Sequence, residues 1–461
     1  MTHADLAILG AGPAGLGAAY RATKAGFKVV VLEREDHVGG LAASFCVGGV
    51  RVDHGSHRLH PSIEPRIFDE LRRLLGDDLQ LRKRQGRIRI DDRWIDFPLR
   101  PGNLIRNLPA RFALGAARDA ALSWTRSARE DSFAEVIRAS LGPTMCESFY
   151  FPYARKIWGL DPRDISGEQA RRRISGLSVG KLLKRLSSRE TGTGRWFYYP
   201  RRGFGQVWER LADATVANGA DLRLGNPVKE VCILENGFQV LGSAGEVVHA
   251  ARLWSTIPLP ALVRLWHPTP VEEVVAAAGA LSSRSMVLVY LVLPQRPYTP
   301  FDAHYLPNSG TPVTRISEPA NYRDGEDPAD RTVICAEIPC FAGDATWRAQ
   351  DSALAELVVK TLRDVDLPPA VPAAFEVRRI PAAYPLYRRG YEESFKVLDE
   401  WAASCPGLLT FGRQGLHAHD NSHHALSMAW AATDALRPDG SFDQASWTAS
   451  RAVFGSHVVE D

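Results

Sequence analysis

The residues with the clearest chemical use are three glycines near the start of the chain, Gly10, Gly12 and Gly15. They follow the apolar run Leu6–Leu9, an order that predicts a strand, a tight turn and a helix. At this spacing Gly10 makes the turn, Gly12 lets a pyrophosphate approach the backbone, and Gly15 lets the helix pack close to the sheet. The pyrophosphate would lie at the positive N-terminus of the helix. The segment therefore predicts a dinucleotide site.

An acidic residue stands where a ribose needs a hydrogen-bond acceptor. The second apolar run, Val29–Leu32, ends at Glu33, and such an acid is expected about 20 residues after the glycines. A carboxylate there accepts hydrogen bonds from a ribose hydroxyl pair and repels a 2′-phosphate, so FAD or NAD is favoured over NADP. The predicted cofactor contacts also include Pro13, Ala14 and Arg34.

Three histidines, His54, His57 and His60, fall within seven residues. Imidazoles move protons near neutral pH or donate hydrogen bonds to the heteroatoms of a flavin. They are also common metal ligands, but neither a carboxylate nor a cysteine stands at a spacing that would complete a site, and no metal is predicted. The alternative is that these histidines are structural and bond the carbonyls of their loop.

A second glycine-containing segment, near the C-terminus, predicts another contact with the cofactor. Gly412 and Arg413 precede a helix for which Asn421 or Ser422 is a good N-cap. A helix N-terminus aimed at the pyrimidine ring of a flavin would stabilise the negative charge that gathers there on reduction. These four residues and His423 are therefore predicted to bind the cofactor.

The pattern Glu33-x5-Gly39-Gly40 resembles the signature of FAD proteins in the amine oxidase, protoporphyrinogen oxidase and phytoene desaturase superfamily. The glycine pair leaves room for the backbone to pass close to a nucleotide. Leu41 stands where many amine oxidases have arginine. The C-terminal segment resembles the Gly-Arg-x-Gly…Asn-Met-Asp helix of the same superfamily, with Asn-Ser-His at residues 421–423. The resemblance implies that FAD is the cofactor and that Gly39, Gly40 and Leu41 lie beside it.

The loop that ends at His60 resembles the Gly-x-His-x-x-His loop against the flavin in UDP-galactopyranose mutases and related bacterial oxidoreductases. The resemblance implies that His57 and His60 lie at the flavin or in the substrate pocket. Val228 aligns with the strand position whose backbone meets adenine in these proteins. Two later segments also resemble the family, and they imply a substrate pocket that contains Arg315, Tyr387 and Arg388.

Size and composition limit the class of protein. A chain of 461 residues exceeds one ordinary core, and 45% hydrophobic with 24% charged residues is ordinary for a globular protein. The net charge of +3 is too small to indicate nucleic acid as a partner. No apolar run reaches the roughly 18 residues of a membrane-spanning helix, and no signal peptide is recognised, so a cytoplasmic location is predicted. The oligomeric state is left open.

Segments of three kinds alternate along the chain. Residues 1–62, 200–262 and 405–445 carry the nucleotide-binding signals and predict a Rossmann FAD-binding lobe of the glutathione-reductase-like α/β class. Residues 63–199 are rich in helix-forming residues and arginine, and they predict a mainly helical insertion. Residues 263–404 contain several β-like runs and predict a substrate lobe with a mixed sheet.

The predicted activity is the FAD-dependent removal of a hydride from a small molecule, for example a sugar, an amine or an isoprenoid-type metabolite. The alternative is a redox-neutral sugar-nucleotide mutase that acts through reduced flavin N5. A third hypothesis, cofactor binding without catalysis, is disfavoured because a closed flavin site is costly to retain without turnover. Clustered arginines such as Arg171, Arg172 and Arg173 favour an anionic or nucleotide-linked substrate, because a guanidinium offers a planar fork of donors.

Overall fold

The computed structural model describes residues 2–90, 92–99, 101–107, 109–174 and 195–459. Two mixed sheets with helices packed around them confirm the predicted α/β class. Residues 175–194, which belong to the predicted helical insertion, lie outside the described residues. Within the described ranges, no helix is long and apolar enough to cross a membrane.

The strands are β1 Thr2–Leu9, β2 Val29–Leu32, β3 Ser44–Val47, β4 Val50–Asp53, β5 Leu79–Lys83, β6 Gly86–Ile90, β7 Arg93–Phe97, β8 Trp196–Pro200, β9 Asp221–Arg223, β10 Val228–Leu234, β11 Gly237–Gly242, β12 Val247–Ser255, β13 Trp266–His267, β14 Ser283–Leu293, β15 Ala303–Tyr305, β16 Arg315–Ser317, β17 Thr332–Cys340, β18 Ala374–Pro385 and β19 Leu408–Thr410. The longer helices span Pro13–Lys24, Pro65–Leu75, Pro101–Asn107, Ala110–Ala121, Phe133–Leu141, Phe151–Trp158, Gly167–Ile174, Gly205–Ala217, Leu259–Leu265, Glu272–Ala280, Asp351–Asp364, Tyr391–Ser404, Ser422–Ala435 and Gln444–Phe454. Shorter helical turns span Gly40–Ala42, Gly76–Asp78, Ser123–Thr125, Pro143–Met145, Cys146–Tyr150, Pro319–Tyr322, Ala345–Arg348 and Gly412–Gly415.

The first sheet contains the predicted nucleotide-binding strands. Its order is β13-β10-β11-β12-β1-β2-β9, and β19 pairs with β12. β1 is parallel to both β2 and β12, and β2 is parallel to β9. All four residues of β2 are buried and apolar, as expected for a strand that is covered on both faces of the sheet. The helix Pro13–Lys24 joins β1 to β2, so the glycine turn lies at the carboxyl end of β1, where such sheets bind ligands.

The second sheet has the order β18-β14-β17-β16-β15-β6-β7. β14 runs antiparallel to β17 and β18, and all its residues after Ser283 are buried. The hairpin β6–β7 forms one edge, with β6 parallel to β15. This hairpin lies within the segment predicted as a helical insertion, so the sheet extends beyond residues 263–404. The hairpin joins the sheet because Ile88 and Ile95 pack with Tyr305 in a shared core.

The described residues between β7 and β8 are mainly helical. Their core contains Phe133, Ile137, Leu141 and Trp158 and includes Leu386, which follows β18. The insertion therefore packs against the end of the second sheet. Its burial of large apolar side chains gives a rigid base for the residues that follow β18.

Asp53 ends β4 and positions the histidine loop that follows it. Its side chain is 1% exposed, and Oδ1 accepts hydrogen bonds from the backbone N–H of Phe204 at 2.9 Å and from Ser44 Oγ at 2.6 Å. Tyr199 donates its hydroxyl to Oδ2 at 2.5 Å. One buried carboxylate therefore joins the hairpin β3–β4 to the point where the chain leaves β8, and hydrogen bonds to a charged group are the stronger kind.

Candidate active site

A cavity of about 990 Å³ is lined by residues of both lobes. Its volume is typical of ligand pockets, which span about 300–1,000 Å³. The predicted site residues that line it are Gly10, Gly12, Pro13, Ala14, Glu33, Arg34, Gly40, Leu41, His57, His60, Val228, Arg315, Arg413, Asn421 and Ser422. Residues from all three predicted nucleotide-binding segments thus meet at one cavity.

The glycine turn has the shape that a pyrophosphate requires. Gly10 has a φ of +98°, which favours glycine, and a Cβ on Gly15 would stand 1.9 Å from the carbonyl oxygen of Gly10. Gly12 lines the cavity, and a Cβ there would meet no atom of the described chain within 4 Å. Space beside Gly12 and the backbone amides of the helix that begins at Pro13 fit the diphosphate of FAD.

Glu33 is held in the orientation that a ribose needs. It is 7% exposed and lines the cavity. Its Oε2 accepts the backbone N–H of Ala11 at 2.7 Å, and its Oε1 accepts the backbone N–H of Glu35 at 3.0 Å. Each carboxylate oxygen has a further lone pair, so Glu33 can bind a ribose hydroxyl pair while its backbone bonds stay intact.

Replacing Glu33 with glutamine is expected to weaken FAD binding by about 10- to 100-fold, because one charge-assisted acceptor is lost. The neighbouring Glu35 is the matched control, since its side chain is 48% exposed and pairs with Arg34. Glu35→Gln is expected to change the affinity far less. The measurement is the FAD dissociation constant of the deflavinated protein. Equal affinities in the two variants would contradict this role for Glu33.

Three predicted cofactor residues shape the cradle from behind the cavity wall. The first is Gly15, which lets the helix Pro13–Lys24 lie close to the carbonyl oxygen of Gly10. Gly39 donates its backbone N–H to the carbonyl oxygen of Ala11 at 2.9 Å and ties the glycine-pair loop to the turn. A Cβ on Gly412 would stand 2.6 Å from the Cβ of Ala14, so this glycine lets the C-terminal segment reach the helix Pro13–Lys24.

The C-terminal helix Ser422–Ala435 begins at the cavity. Asn421 caps it in a capping box with His424, and both Asn421 and Ser422 line the cavity. Arg413 also lines the cavity and donates to the carbonyl oxygens of Ala383 at 2.9 Å and Asp420 at 3.2 Å. This arrangement fits the flavin ring of FAD, because a helix N-terminus and a fixed cation stabilise negative charge. His423 instead lies behind the wall, where burial lowers its pKa to about 2.

The histidine loop places two imidazole rings at the cavity, and the two rings carry their proton on different sides relative to the loop backbone. His57 lines the cavity, stacks on Phe204 and contacts the carbonyl oxygen of His54 through Nε2 at 3.0 Å. Burial lowers the pKa of His57, so the neutral ring donates from Nε2 and keeps a lone pair on Nδ1. In His60 the polarity is reversed, because Nδ1 accepts the backbone N–H of Ser62 at 3.1 Å and Nε2 therefore carries the proton.

His417 is a cavity residue that the sequence reading missed. It has a φ of +46°, it is 4% exposed, and its ring lies beside those of Tyr387 and Tyr391. Burial lowers its pKa from 6.5 to about 4. The ring is therefore neutral in the folded state at a pH where the unfolded chain already binds a proton.

We expect His417 to make the protein less stable as the pH falls from 6.5 to about 4. The unfolded chain then binds one more proton, and the free energy of unfolding falls by about 1.4 kcal/mol per pH unit. Asparagine tolerates the positive φ, so His417→Asn should reduce the slope of stability against pH in this window. Denaturant unfolding at several pH values measures the slope. The same slope in both proteins would contradict the assignment.

Several arginines line the cavity, and three of them lie around Tyr305: Arg58, Arg84 and Arg315, here called the arginine wall. Arg58 and Arg84 each donate to the Tyr305 hydroxyl, at 3.3 and 3.2 Å. Arg315 is paired with Glu337 at 2.8 Å, so its charge is already balanced. The sequence reading identified only Arg315. Arg58 lies between His57 and His60 in the histidine loop, whereas Arg84 belongs to the strand-rich part of the insertion and carried no signal.

Two residues expected in the substrate pocket lie outside the cavity. Tyr387 is buried, stacks on Tyr391 with ring centroids 4.3 Å apart, and accepts the backbone N–H of His419 at 3.0 Å. Arg388 is exposed. The chain leaves the second sheet at the end of β18, and from there it packs against the helical insertion rather than over the cavity. Neither residue lines the cavity, and a contact between either of them and a substrate stays a prediction.

Known proteins resemble this chain over most of its length. The profile of the family described as flavin containing amine oxidoreductase matches residues 13–417. Lysine-specific histone demethylase 1B of Mus musculus is 26% identical over 310 residues, which cover 63% of this chain and 34% of that protein. The chain therefore spans about a third of this relative's length.

Solved structures show the same fold over nearly the whole chain. A reduced UDP-galactopyranose mutase superposes with a TM-score of 0.80 at 21% identity over 94% of each chain. A putrescine oxidase bound to putrescine superposes with a TM-score of 0.65 at 18% identity, covering 94% of this chain and 98% of the oxidase. The predicted fold and FAD cofactor are thereby confirmed. The chain belongs to the flavin-containing amine oxidoreductase family.

Proposed function

We propose that this protein oxidises a small anionic molecule by removing a hydride from one of its C–H bonds. FAD supplies the hydride acceptor. The observation that carries the anionic part of the proposal is Arg84, a cavity-lining arginine that is 5% exposed. Arg84 contacts the Tyr305 hydroxyl and the ring of Phe97, which lies 4.5 Å from its guanidinium carbon.

The charge of Arg84 is not balanced by an acid. Among the described residues, no carboxylate lies within 4.0 Å of its guanidinium nitrogens. A buried cation without a counter-ion is costly, and an anionic group of the substrate would offset that cost. Arg58 offers a second contact in a fixed position, because it is held between the rings of Phe197 and Tyr322, while Asp302 at 3.2 Å balances its charge.

An anion fits this cavity better than the cationic amine typical of an amine oxidase substrate. Among the described lining residues, the carboxylates are Glu33, Glu35 and Asp420. The first two follow β2 at the ribose site, and the third precedes the C-terminal helix. The arginine wall presents Arg84, a cation without a carboxylate partner among the described residues, where an amine would need an acid.

The histidine loop supplies a base for the one proton that leaves when a hydride is removed from a carbon bearing a hydroxyl or amino group. His57 has the properties of a base, because its ring is neutral and its Nδ1 holds the lone pair. His60 has the properties of a hydrogen-bond donor through its Nε2–H group. The arginine wall orients the substrate by its charge, so that these rings and the hydride acceptor meet a defined face.

The test is anaerobic reduction of the purified flavoprotein by matched series of small molecules. Each series contains a carboxylate or phosphate compound, its neutral ester or alcohol, and an amine of the same carbon skeleton. The proposal expects an anionic member to bleach the visible absorbance of the flavin and air to restore it. Bleaching by amines alone would overturn the proposed substrate class, and bleaching by none would overturn the oxidase activity.

A second candidate is a redox-neutral rearrangement of a nucleotide sugar. The superposition on the reduced mutase and the two cavity histidines favour it, and the arginine wall would then bind the diphosphate. This activity would need prior reduction by dithionite and would consume no electron acceptor. An activity that requires an acceptor and proceeds without dithionite would exclude it.

A further inference from the structure

Three side chains from separate parts of the C-terminal region converge at the cavity wall. Asp420 precedes the helix Ser422–Ala435, His424 lies in its first turn, and His457 follows the helix Gln444–Phe454. Asp420 Oδ1 lies 3.6 Å from His424 Nδ1, and Asp420 Oδ2 lies 3.6 Å from His457 Nδ1. One ligand atom from each residue falls within 4.8 Å of the other two. We call this the Asp420 cluster.

The carboxylate of this cluster is buried without hydrogen bonds. Asp420 is 1% exposed, and neither of its oxygens has a hydrogen-bond partner in the part of the chain that the structure describes. The same holds for Nδ1 of His457. Buried polar atoms are nearly always paired, and an unpaired carboxylate is especially costly. The two imidazoles stack with ring centroids 4.3 Å apart, so the cluster is packed rather than loose.

The separations suit a shared cation better than a hydrogen bond. A distance of 3.6 Å is too long for an N–H···O bond. Two ligands about 2.0–2.1 Å from one tetrahedral Zn²⁺ stand roughly 3.3–3.4 Å apart. We propose that Asp420, His424 and His457 form a site for a divalent transition-metal ion with two imidazole ligands and one carboxylate ligand. The backbone N–H of Asn421 contacts His424 Nδ1 at 3.3 Å, a long hydrogen bond that the ion would replace.

Arg172 is the internal competitor for this site. Its Nη1 lies 3.6 Å from Asp420 Oδ1, while its Nε donates to Glu168 at 2.9 Å. The guanidinium repels a cation, but Glu168 balances part of that charge. Metal affinity is therefore set by the competition between the ion and Arg172 for one carboxylate. Removing this arginine is expected to tighten metal binding.

A bound ion would link the segment that carries His457 to the helix Ser422–Ala435. The tail that carries His457 is already attached to the helix Gly167–Ile174, because Val459 donates its backbone N–H to the carbonyl oxygen of Arg172 at 2.8 Å. Asp420 also lines the cavity. The ion would thus link the tail, the first turn of the helix Ser422–Ala435 and the cavity wall, and it would resist their separation on heating.

The test uses the full-length flavoprotein, prepared without a metal-affinity tag, treated with a chelator and dialysed against Zn²⁺. We expect the wild type to retain one more Zn²⁺ per chain than His457→Gln, and its Tm to rise with Zn²⁺ where that of the variant does not. His267→Gln is the matched control, since His267 is exposed and outside the cluster. It should behave like the wild type. Mg²⁺, which prefers oxygen ligands, should not shift the Tm of either protein.

Arg172→Gln is the second variant, and it guards against a trivial loss of folding. We expect it to bind Zn²⁺ more tightly than the wild type by at least about tenfold, because a repelling charge is removed. Zinc-edge X-ray absorption should show two imidazole ligands in the wild type. The proposal is overturned if wild type and His457→Gln retain equal zinc, or if Arg172→Gln binds zinc no better. The Asp420 cluster would then be an ion-pair network.

Discussion

Gly15→Ala protein is expected to unfold at a much lower temperature than the wild type and to be purified without FAD. The added Cβ would stand 1.9 Å from the Gly10 carbonyl oxygen, and this neighbour is backbone that cannot rotate away. Overpacking of ordinary cores costs about 1–3 kcal/mol, and a clash with backbone belongs at or above the upper end. The turn and the start of the helix Pro13–Lys24 would have to separate, which also destroys the diphosphate cradle.

Two other glycines provide matched controls for this variant. A Cβ on Gly12 meets no atom of the described chain within 4 Å, so Gly12→Ala should leave the stability of the FAD-free protein within about 0.5 kcal/mol. The same methyl projects into the cavity and should lower FAD affinity. Gly310 is exposed, and Gly310→Ala should change neither property. Thermal unfolding measures the stability of each variant, and the flavin content of the purified protein reports its binding of FAD. A stable, yellow Gly15→Ala protein would contradict the packing argument.

Arg84→Met is expected to raise KM for an anionic substrate by about 10- to 100-fold, the value of a hydrogen bond to a charged group. FAD content should be unchanged, because Arg84 lies on the arginine wall and not in the glycine cradle. The Tm is expected to rise, since a buried charge without an acid is replaced by an apolar side chain of similar length. Tighter folding combined with weaker substrate binding distinguishes a binding residue from a structural one.

The controls for Arg84 test charge and position separately. Arg84→Lys keeps the charge but loses the planar fork, so it should recover part of the affinity. Arg331→Met removes an exposed arginine that pairs with Asp330 and should leave KM unchanged. Before a substrate is known, the Tm shift caused by pyrophosphate reports on the same site. The assignment would be contradicted if pyrophosphate shifted the Tm of Arg84→Met as much as that of the wild type. It would also be contradicted if Arg84→Met had the KM of the wild type together with a lower Tm.

Much of the cofactor site was predictable because its requirements are local. Gly10, Gly12 and Glu33 occupy positions that the backbone and a nucleotide impose within one βαβ unit, and all three line the cavity. Other motif residues that were predicted as contacts also hold backbone segments together. Gly39 and Gly412 let the backbone segments approach one another, which the same glycine patterns cannot distinguish from direct contact with FAD.

The substrate side was far less predictable. Tyr387 and Arg388 belong to a segment that resembles the family, but Ile165, Ser166 and Arg172 of the helical insertion hold that segment outside the cavity lining. Arg84 lies between β5 and β6, in the segment assigned by sequence to that insertion, and the pairing of β6 with β15 brings it to Tyr305. The alternation of residues within a strand shows which face is buried, but it does not show which distant strand lies beside it.

Sequence by itself determined the family and the class of cofactor, since a dinucleotide turn needs particular residues at neighbouring positions. Tertiary structure alone decided which charges face the cavity and which buried acid stays without a hydrogen bond among the described residues. Arg84 and Tyr305, or Asp420 and His457, are far apart in the chain and meet only when separate lobes and the C-terminal tail pack together. Such encounters depend on the whole core, because burial and charge balance are set by every element around them.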